Sequence, residues 1–204
     1  MEALMADEVF DFEKLHTRYR PKIHRYLCRL AGENEAEDLC QEVFVKVERN
    51  LTSFRNEAQL STWLYRIATN SFYDRLRSPS FKQKSKEHPI EIDENTLEER
   101  DFTTQQRKPG IDQQVIRDEM NACIRGYIDQ LPENYRTVLL LSEEEGFKNR
   151  EIAEILQVSL DNVKIRLHRA KAKLKVSLQG NCDFYLDERS EISCDRKQQC
   201  DSEK

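Results

Sequence analysis

The sequence predicts an all-α fold of two small helical domains, joined by a flexible linker and followed by a polar C-terminal tail. Apolar residues recur at three- and four-residue steps in two separate stretches, which is the period of a buried helix face. The 204 residues include only five Gly and five Pro, too few turn residues for many short strands. Hydrophobic residues make up 38% and charged residues 35% of the chain, which suits two small helical domains better than one large core.

The first predicted domain covers residues 8–77 and contains three helices. Its first helix runs through Pro21, which predicts a kink, and ends at Gly32, a residue that tolerates positive φ. Asn34 and Glu37 have the spacing of a capping box at the start of the second helix. The residues that the helical period turns inward in this second helix are Leu39, Val43, Phe44 and Val47.

Two polar stretches flank the second predicted domain. Residues 78–110 are rich in Lys, Glu, Ser, Gln and Thr, and their few apolar residues have no helical period, which predicts a flexible linker. Helical periodicity resumes in the second domain, residues 111–178. There the last helix is preceded by Ser159, a favoured N-cap residue. Residues 179–204 are predicted to form a polar tail that contains cysteines.

The strongest functional signal is the pair of helices between Lys148 and Lys175. A connection of three to four residues lets two helices pack at a steep angle, as in a helix-turn-helix. The second helix can then enter the major groove, with its N-terminal residues at base edges and its cations on guanine or phosphate. The alternative is a basic surface helix of an ordinary bundle, because basic helix ends also complement the helix dipole. The residues predicted to contact duplex DNA are Asn162, Lys164, Ile165, Arg166, His168, Arg169 and Lys171.

Charge and composition set limits on function. The net charge of −5 argues mildly against nucleic-acid binding, yet every charged residue from Asn162 to Val176 is basic. We expect no membrane insertion, because no apolar run approaches the roughly 20 residues of a membrane span. The N-terminus does not have the pattern of a secretory signal, so we expect a cytoplasmic protein with reduced thiols. No nucleophile–base motif or phosphate-binding glycine loop occurs, so we do not expect an enzyme.

Two parts of the sequence resemble one family. The segment LPENYRTVLLLSEEEGFKNREIAEILQVSLDNVKIRLHRAKAKL, starting at Leu131, resembles region 4 of extracytoplasmic-function (ECF) sigma factors, group 4 of the sigma-70 family. AEDLCQEVFVKV, starting at Ala36, and STWLYRIATNSFYDRLR, starting at Ser61, resemble successive parts of region 2. The resemblance implies a region 2 helical bundle and a winged-helix-like region 4. It also implies a transcription initiation factor for stress or environmental responses, with promoter DNA and core RNA polymerase as partners.

The resemblance assigns the second helix to polymerase binding. It implies that this helix docks on the clamp helices of the largest polymerase subunit, and that region 4 meets the flap. Acidic and amide side chains at this spacing share a helix face that can meet an Arg-rich coiled coil, although a solvated acidic face is the alternative. The implied docking residues are Asp38, Gln41, Glu42 and Phe44.

The resemblance also implies that the third helix and its preceding loop bind the promoter's minus-ten element as a melted strand, with Asn70 at a flipped base. Unpaired bases need stacking surfaces, a polar pocket and cations for the phosphates. Phe54 could equally anchor the loop, and Trp63 is assigned to the core because it lies on the apolar stripe. The implied minus-ten residues are Phe54, Arg55, Arg66, Asn70, Asp74, Arg75 and Arg77.

One departure from the family concerns the minus-thirty-five helix. Many ECF factors place a small polar residue where Ile165 stands and Gly near Asn162, so we expect an unusual minus-thirty-five preference.

The tail leaves two interpretations open. Its Cys182, Cys194 and Cys200 lack the tight spacing of a zinc knuckle, which favours free thiols in an unstructured tail. Some ECF factors carry Cys-rich extensions that sense metals, and three thiolates suit a soft regulatory metal ion. No cofactor is expected to be required, and an anti-sigma factor is a further candidate partner.

Two other functions fit parts of the chain. A stand-alone DNA-binding regulator would need only the helix-turn-helix. A metal-binding stress protein would use the tail as its main site.

Overall fold

The computed structural model describes residues 11–51, 54, 59–78, 111–186 and 192–197. The predicted linker, apart from Ser78, lies outside the described residues, as do Arg55 and Cys200. The elements are α1 (Phe12–Ala31), α2 (Glu33–Asn50), α3 (Leu60–Arg77), α4 (Ile111–Asp129), α5 (Glu133–Leu139), a π-helical turn (Leu140–Glu144), α6 (Asn149–Leu156), α7 (Leu160–Asn181), β1 (Cys182–Leu186) and β2 (Ile192–Arg196). The all-α class is confirmed.

The junction between α1 and α2 is a single glycine. Gly32 has φ 83° and its N–H donates to the Cys28 carbonyl over 3.0 Å, so it ends α1 as predicted. The predicted capping box is wrong, because α2 starts at Glu33 without a side-chain cap. Glu37 instead accepts a hydrogen bond from Arg20 of α1 over 2.6 Å. α1 continues through Pro21, and the predicted kink there stays a prediction.

α1, α2 and α3 pack around one apolar core. The inward residues predicted for α2 are all buried, as the helical period indicates. Two consecutive hydrogen bonds lie inside this core. In the first, the Thr69 hydroxyl donates to the Tyr65 carbonyl over 2.7 Å. The Tyr26 hydroxyl must therefore donate to Thr69 Oγ1, which lies 2.9 Å away. The largest fully buried side chains of these three helices are Tyr26, Phe72, Ile23, Leu27, Leu39, Leu64, Val43 and Val47.

Residues 137–165 belong to the same compact unit as α1–α3. The Tyr65 ring of α3 meets the Phe147 ring edge-on, with centroids 4.8 Å apart, and the Tyr65 hydroxyl donates to Glu145. Burial and this carboxylate both raise the pKa of Tyr65 above its usual range, so its hydroxyl stays protonated. Arg29 Nε lies 3.3 Å from Glu144. The helix that begins the helix-turn-helix, α6, is thus packed on α3.

α6 and α7 form the predicted helix-turn-helix. α6 ends at Gln157, which has the left-handed conformation with φ 54° and ψ 44°. Ser159 then caps α7 as predicted, because its hydroxyl accepts from the Asn162 N–H over 3.2 Å. The buried residues of the two helices are Ile152, Ile155, Val163, Leu167 and Ala170.

The tail differs from the prediction. α7 continues to Asn181, and β1 pairs antiparallel with β2, with Cys182 opposite Arg196 and Leu186 opposite Ile192. Strand pairing satisfies the backbone donors and acceptors of a segment too short to show a clear period. The hairpin shares a second compact unit with α4, the helix that β2 contacts, and with the part of α7 from Arg166 onward. These packing units differ from the predicted domains, whose boundaries stay a prediction.

Candidate functional site

Three of the four residues predicted to dock on polymerase share an exposed face of α2. We call Asp38, Gln41 and Glu42 the acidic face. The Gln41 amide donates to Glu37 over 3.2 Å, and this bond, with the nearby Arg20, lowers the pKa of the Glu37 carboxyl. The carboxylate of Glu37 therefore stays charged next to the acidic face at neutral pH.

Phe44 has a different position from its neighbours. It is only 5% exposed, and its ring meets that of His16 edge-on with centroids 4.7 Å apart. Val45 is the exposed apolar residue here, at 45%, and it lines a groove between α1 and α2 together with Phe12, His16 and Gln41. The sequence analysis missed Val45, although its spacing from Asp38 and Gln41 places all three on one helix face.

α3 presents most of its predicted minus-ten residues to solvent. Asn70, Asp74 and Arg77 are exposed, and Arg77 pairs with Asp74 over 2.6 Å. Arg75 instead pairs with two acids of α2, Glu42 and Glu35, the latter over 3.5 Å. Arg75 thus joins α2 to α3, and its cation is shared with the acidic face.

Two further minus-ten candidates lie near the start of α3. Phe54 and Trp63 are both half-buried, and their rings are in contact with centroids 5.0 Å apart. This contact favours Phe54 as an anchor of the loop, and it leaves Trp63 outside the fully buried core. Arg66 is partly buried, and its Nε has no hydrogen-bond partner among the described residues.

The outer face of α7 carries the predicted minus-thirty-five residues. Lys164 lies 3.4 Å from Asp161, and both side chains are largely exposed. Arg166 is the only half-buried residue among the minus-thirty-five candidates. Opposite this face, Val163 is fully buried, so the helix is fixed with its polar side outward. The candidates exposed on α7 are Asn162, Lys164, Ile165, His168, Arg169 and Lys171.

The hairpin brings two tail cysteines together. Cys194 is the register partner of Phe184, two residues from Cys182, so both cysteines lie on one face of the hairpin. Cys182 is buried and Cys194 is half-buried. Within the described ranges, no group of three or more His, Cys, Asp or Glu side chains could hold a metal ion. No helix in the same ranges is both long and apolar enough to cross a bilayer.

A helical bundle and a cationic helix-turn-helix in one chain are typical of transcription factors that bind DNA. Comparisons with known proteins identify the family. The family model of sigma-70 region 2 matches residues 15–81, and that of sigma-70 region 4 matches residues 121–174.

Relatives align over most of their length. The chain is 34% identical to the ECF RNA polymerase sigma factor SigW of Bacillus subtilis, over 79% of this chain and 85% of that protein. It is 31% identical to the ECF RNA polymerase sigma-E factor of Haemophilus influenzae, over 82% of this chain and 87% of that protein. The chain therefore belongs to the ECF RNA polymerase sigma factors, which direct transcription initiation at specific promoters and are not enzymes.

Solved structures share the fold. The sigma factor RpoE of Bartonella quintana, crystallised with the anti-sigma factor NepR, matches with a TM-score of 0.59 and 22% identity. That match covers 83% of this chain and 97% of the other. CnrH, solved with the cytosolic domain of CnrY, matches with a TM-score of 0.55 and 22% identity, over 83% of this chain and 88% of the other.

Proposed function

We propose that three separate surfaces divide the work of this sigma factor. The acidic face of α2 binds the clamp helices of core RNA polymerase, α3 and its loop bind the melted minus-ten element, and α7 reads the duplex minus-thirty-five element. The observation that carries this proposal is the outward placement of polar candidates on all three helices, with the apolar side of each helix buried. We also propose a cytoplasmic location, where polymerase and promoters are found.

Polymerase binding by α2 is supported by charge and exposure. Asp38 offers a carboxylate to a basic partner, Glu42 can share the carboxylate that it pairs with Arg75, and the exposed Val45 adds an apolar contact beside them. Phe44 is buried beneath this surface and contacts the His16 ring. Its own ring would have to move to touch a partner, so we assign it a supporting role.

Minus-ten binding is supported by the face of α3 that carries Asn70 and Asp74. An exposed amide can donate to and accept from the edge of an extruded base. Arg77 can hold the phosphates near it, while the contacting rings of Phe54 and Trp63 offer a partly exposed aromatic surface for stacking.

Minus-thirty-five binding is supported by the cations and the amide of α7. Asn162 and Lys164 stand in the first turns, where a recognition helix meets base edges, and Arg169 follows further along the same helix. A single acid, Asp161, accompanies them, and it pairs with Lys164.

Transcription in vitro tests the division of roles. The full chain, combined with core polymerase on a library of genomic promoters, should give transcripts from a defined subset of these promoters. On a responsive promoter, Arg169→Ala should weaken closed-complex formation by about tenfold, the loss expected for one cationic base or phosphate contact. Asn70→Ala should leave closed complexes largely intact and reduce opening, detected by permanganate reactivity of unpaired thymines.

Matched controls keep this test specific. Lys14→Ala removes a cation of α1 that is 87% exposed, and Asn121→Ala removes an exposed amide of α4, so neither control residue lies on α2, α3 or α7. Equal transcript yields from all four variants would contradict the assigned roles. Failure of the wild-type chain to bind core polymerase would contradict the proposal as a whole.

Two finer proposals concern regulation. The shared hairpin face of Cys182 and Cys194 supports a soft-metal site on the tail, with Cys200 as a third thiolate. An anti-sigma factor is proposed as a further partner, because two similar folds were each solved in complex, RpoE with the anti-sigma factor NepR and CnrH with the cytosolic domain of CnrY.

A further inference from the structure

Ile165 is an apolar side chain left in solvent on the polar face of α7. It is 52% exposed, whereas Val163 is fully buried and Leu167 is 8% exposed. Single exposed apolar residues are common on protein surfaces, so the exposure of Ile165 becomes informative only through its place on the outward face of α7.

The neighbours of Ile165 on the helix surface are groups that can read bases. Residues three and four positions apart lie side by side on a helix, which places Ile165 between Asn162 and Arg169. The Asn162 amide suits adenine, and the Arg169 guanidinium suits guanine or a phosphate. Ile165 is in the second turn of α7, within the part of a recognition helix that meets base edges.

We propose that Ile165 determines promoter specificity by contacting the 5-methyl group of a thymine in the minus-thirty-five duplex. This inference rests on the proposed role of α7. The thymine methyl is an apolar group on a base edge in the major groove, and apolar side chains are its usual contacts. The β-branched side chain of isoleucine has few rotamers to lose when it becomes ordered against DNA.

A protein partner is the competing explanation for an exposed isoleucine. Protein interfaces bury clusters of large apolar residues with depleted charge. Ile165 is instead flanked by Lys164 and His168, both exposed. On α7, the other exposed large apolar residue within the described ranges is Val176, three turns further on and about 16 Å away along the axis. A single methyl-sized target therefore fits Ile165 better than an apolar protein surface.

Deoxyuridine substitution tests the contact one methyl at a time. The preferred minus-thirty-five sequence is first selected with wild-type holoenzyme from promoters randomised in that element. Each thymine of the selected element, on either strand, is then replaced by deoxyuridine, which lacks only the 5-methyl group. At one position, this change should weaken closed-complex formation by wild-type holoenzyme about fourfold, the effect of one buried methyl group.

The matching protein variant completes the cycle. Ile165→Ala should weaken binding to the thymine duplex and bind thymine and deoxyuridine duplexes equally well at that position. Val176→Ala is the control, because it truncates another exposed apolar side chain of α7. This variant should keep the wild-type preference for the thymine duplex over the deoxyuridine duplex. Thermal melting of both variants should match the wild type, because neither side chain is buried.

Several outcomes would overturn the inference. One is a selected element without thymine, and another is a methyl preference that persists in Ile165→Ala. A third is equal loss on both duplexes together with weaker core-polymerase binding, which would assign Ile165 to a protein contact. In each case, promoter-specific transcription by the wild-type holoenzyme would leave the proposed function standing. If wild-type holoenzyme selects no element at all, the proposed function itself fails.

Discussion

Tyr26 illustrates how a single polar atom is held inside the core of α1–α3. Its side chain is 1% exposed, and its hydroxyl has one hydrogen-bonding neighbour in the core, Thr69. Burial raises the pKa of Tyr26 well above its usual range, so the hydroxyl remains a donor at any pH at which the protein is folded.

Removing this hydroxyl should reduce stability measurably. Tyr26→Phe deletes the bond to Thr69, while the bond from Thr69 to the Tyr65 carbonyl remains. We expect the free energy of unfolding to fall by about 1 kcal/mol. Urea denaturation of the wild type and of Tyr26→Phe measures this difference in the free energy of unfolding. Tyr19→Phe, at a half-buried position on the same helix, should change stability little. A larger loss in Tyr19→Phe than in Tyr26→Phe would refute the role of the buried bond.

At the residue scale, the sequence predicted surfaces better than individual contacts. The helical period placed Asp38, Gln41 and Glu42 outward, and all three are exposed. The same period turned Phe44 inward, where the structure has it, although the family resemblance assigned it to docking. The pairing of Arg75 with α2 was not predictable, because it depends on how two helices lie beside each other.

At the scale of elements, the turn of the helix-turn-helix depends on Gln157. This residue holds a left-handed conformation, which a residue with a Cβ adopts at a cost of about 1 kcal/mol or more. Glycine is the usual residue where a helix ends in this way.

Glycine at this turn should therefore stabilise the fold. Gln157→Gly relieves the backbone strain but increases the entropy of the unfolded chain, and we expect a net gain of roughly 0.5 kcal/mol. Glu154→Gly, at an exposed position inside α6, should instead lower stability by about 1 kcal/mol. Thermal melting compares the two variants. A loss of stability in both would show that the Gln157 side chain supports the turn.

The helices were more predictable than the hairpin. Long amphipathic periods and a cap such as Ser159 are local signals, so α1–α3 and α7 follow from the sequence. β1 and β2 are short, and their pairing joins residues that lie apart in the chain, so no local pattern indicated it. The end of α1 was predictable from Gly32. The start of α2 was not, because this one glycine serves both helices.

At the scale of the whole molecule, the proposed surfaces all precede the hairpin. The region 4 match ends at residue 174, and the exposed candidates of α7 end at Lys171. A chain truncated after Asn181 should therefore still initiate transcription with core polymerase at the same promoters.

The transcript yield of this truncated chain distinguishes a tail that only regulates the factor from a tail that initiation requires. We expect a lower melting temperature, because the truncation removes the contacts of β2 with α4 and the buried side chain of Cys182, but about half or more of the wild-type transcript yield. Run-off transcription at a temperature well below the melting transition measures the yield. Complete loss of promoter-specific transcripts from a folded, truncated chain would contradict this prediction and make the tail essential to initiation.

The family and the class of fold were predictable because two motifs occur in a fixed order along the chain. The division into packing units was not. It places residues 137–165 with α1–α3, and such long-range packing leaves no periodic trace in a sequence.

The contact of Tyr65 with Phe147 has a consequence for the encounter with a promoter. By their names, the two promoter elements stand about 25 base pairs apart, which is roughly 85 Å of straight duplex. Rings whose centroids are 4.8 Å apart keep α3 and the start of the helix-turn-helix side by side. If α3 binds the minus-ten element while the helix-turn-helix binds the minus-thirty-five element of the same promoter, these rings have to separate. The hydrogen bond from the Tyr65 hydroxyl to Glu145 then has to break as well. The free energy of this ring contact and its hydrogen bond would then help to set how readily the factor binds both promoter elements.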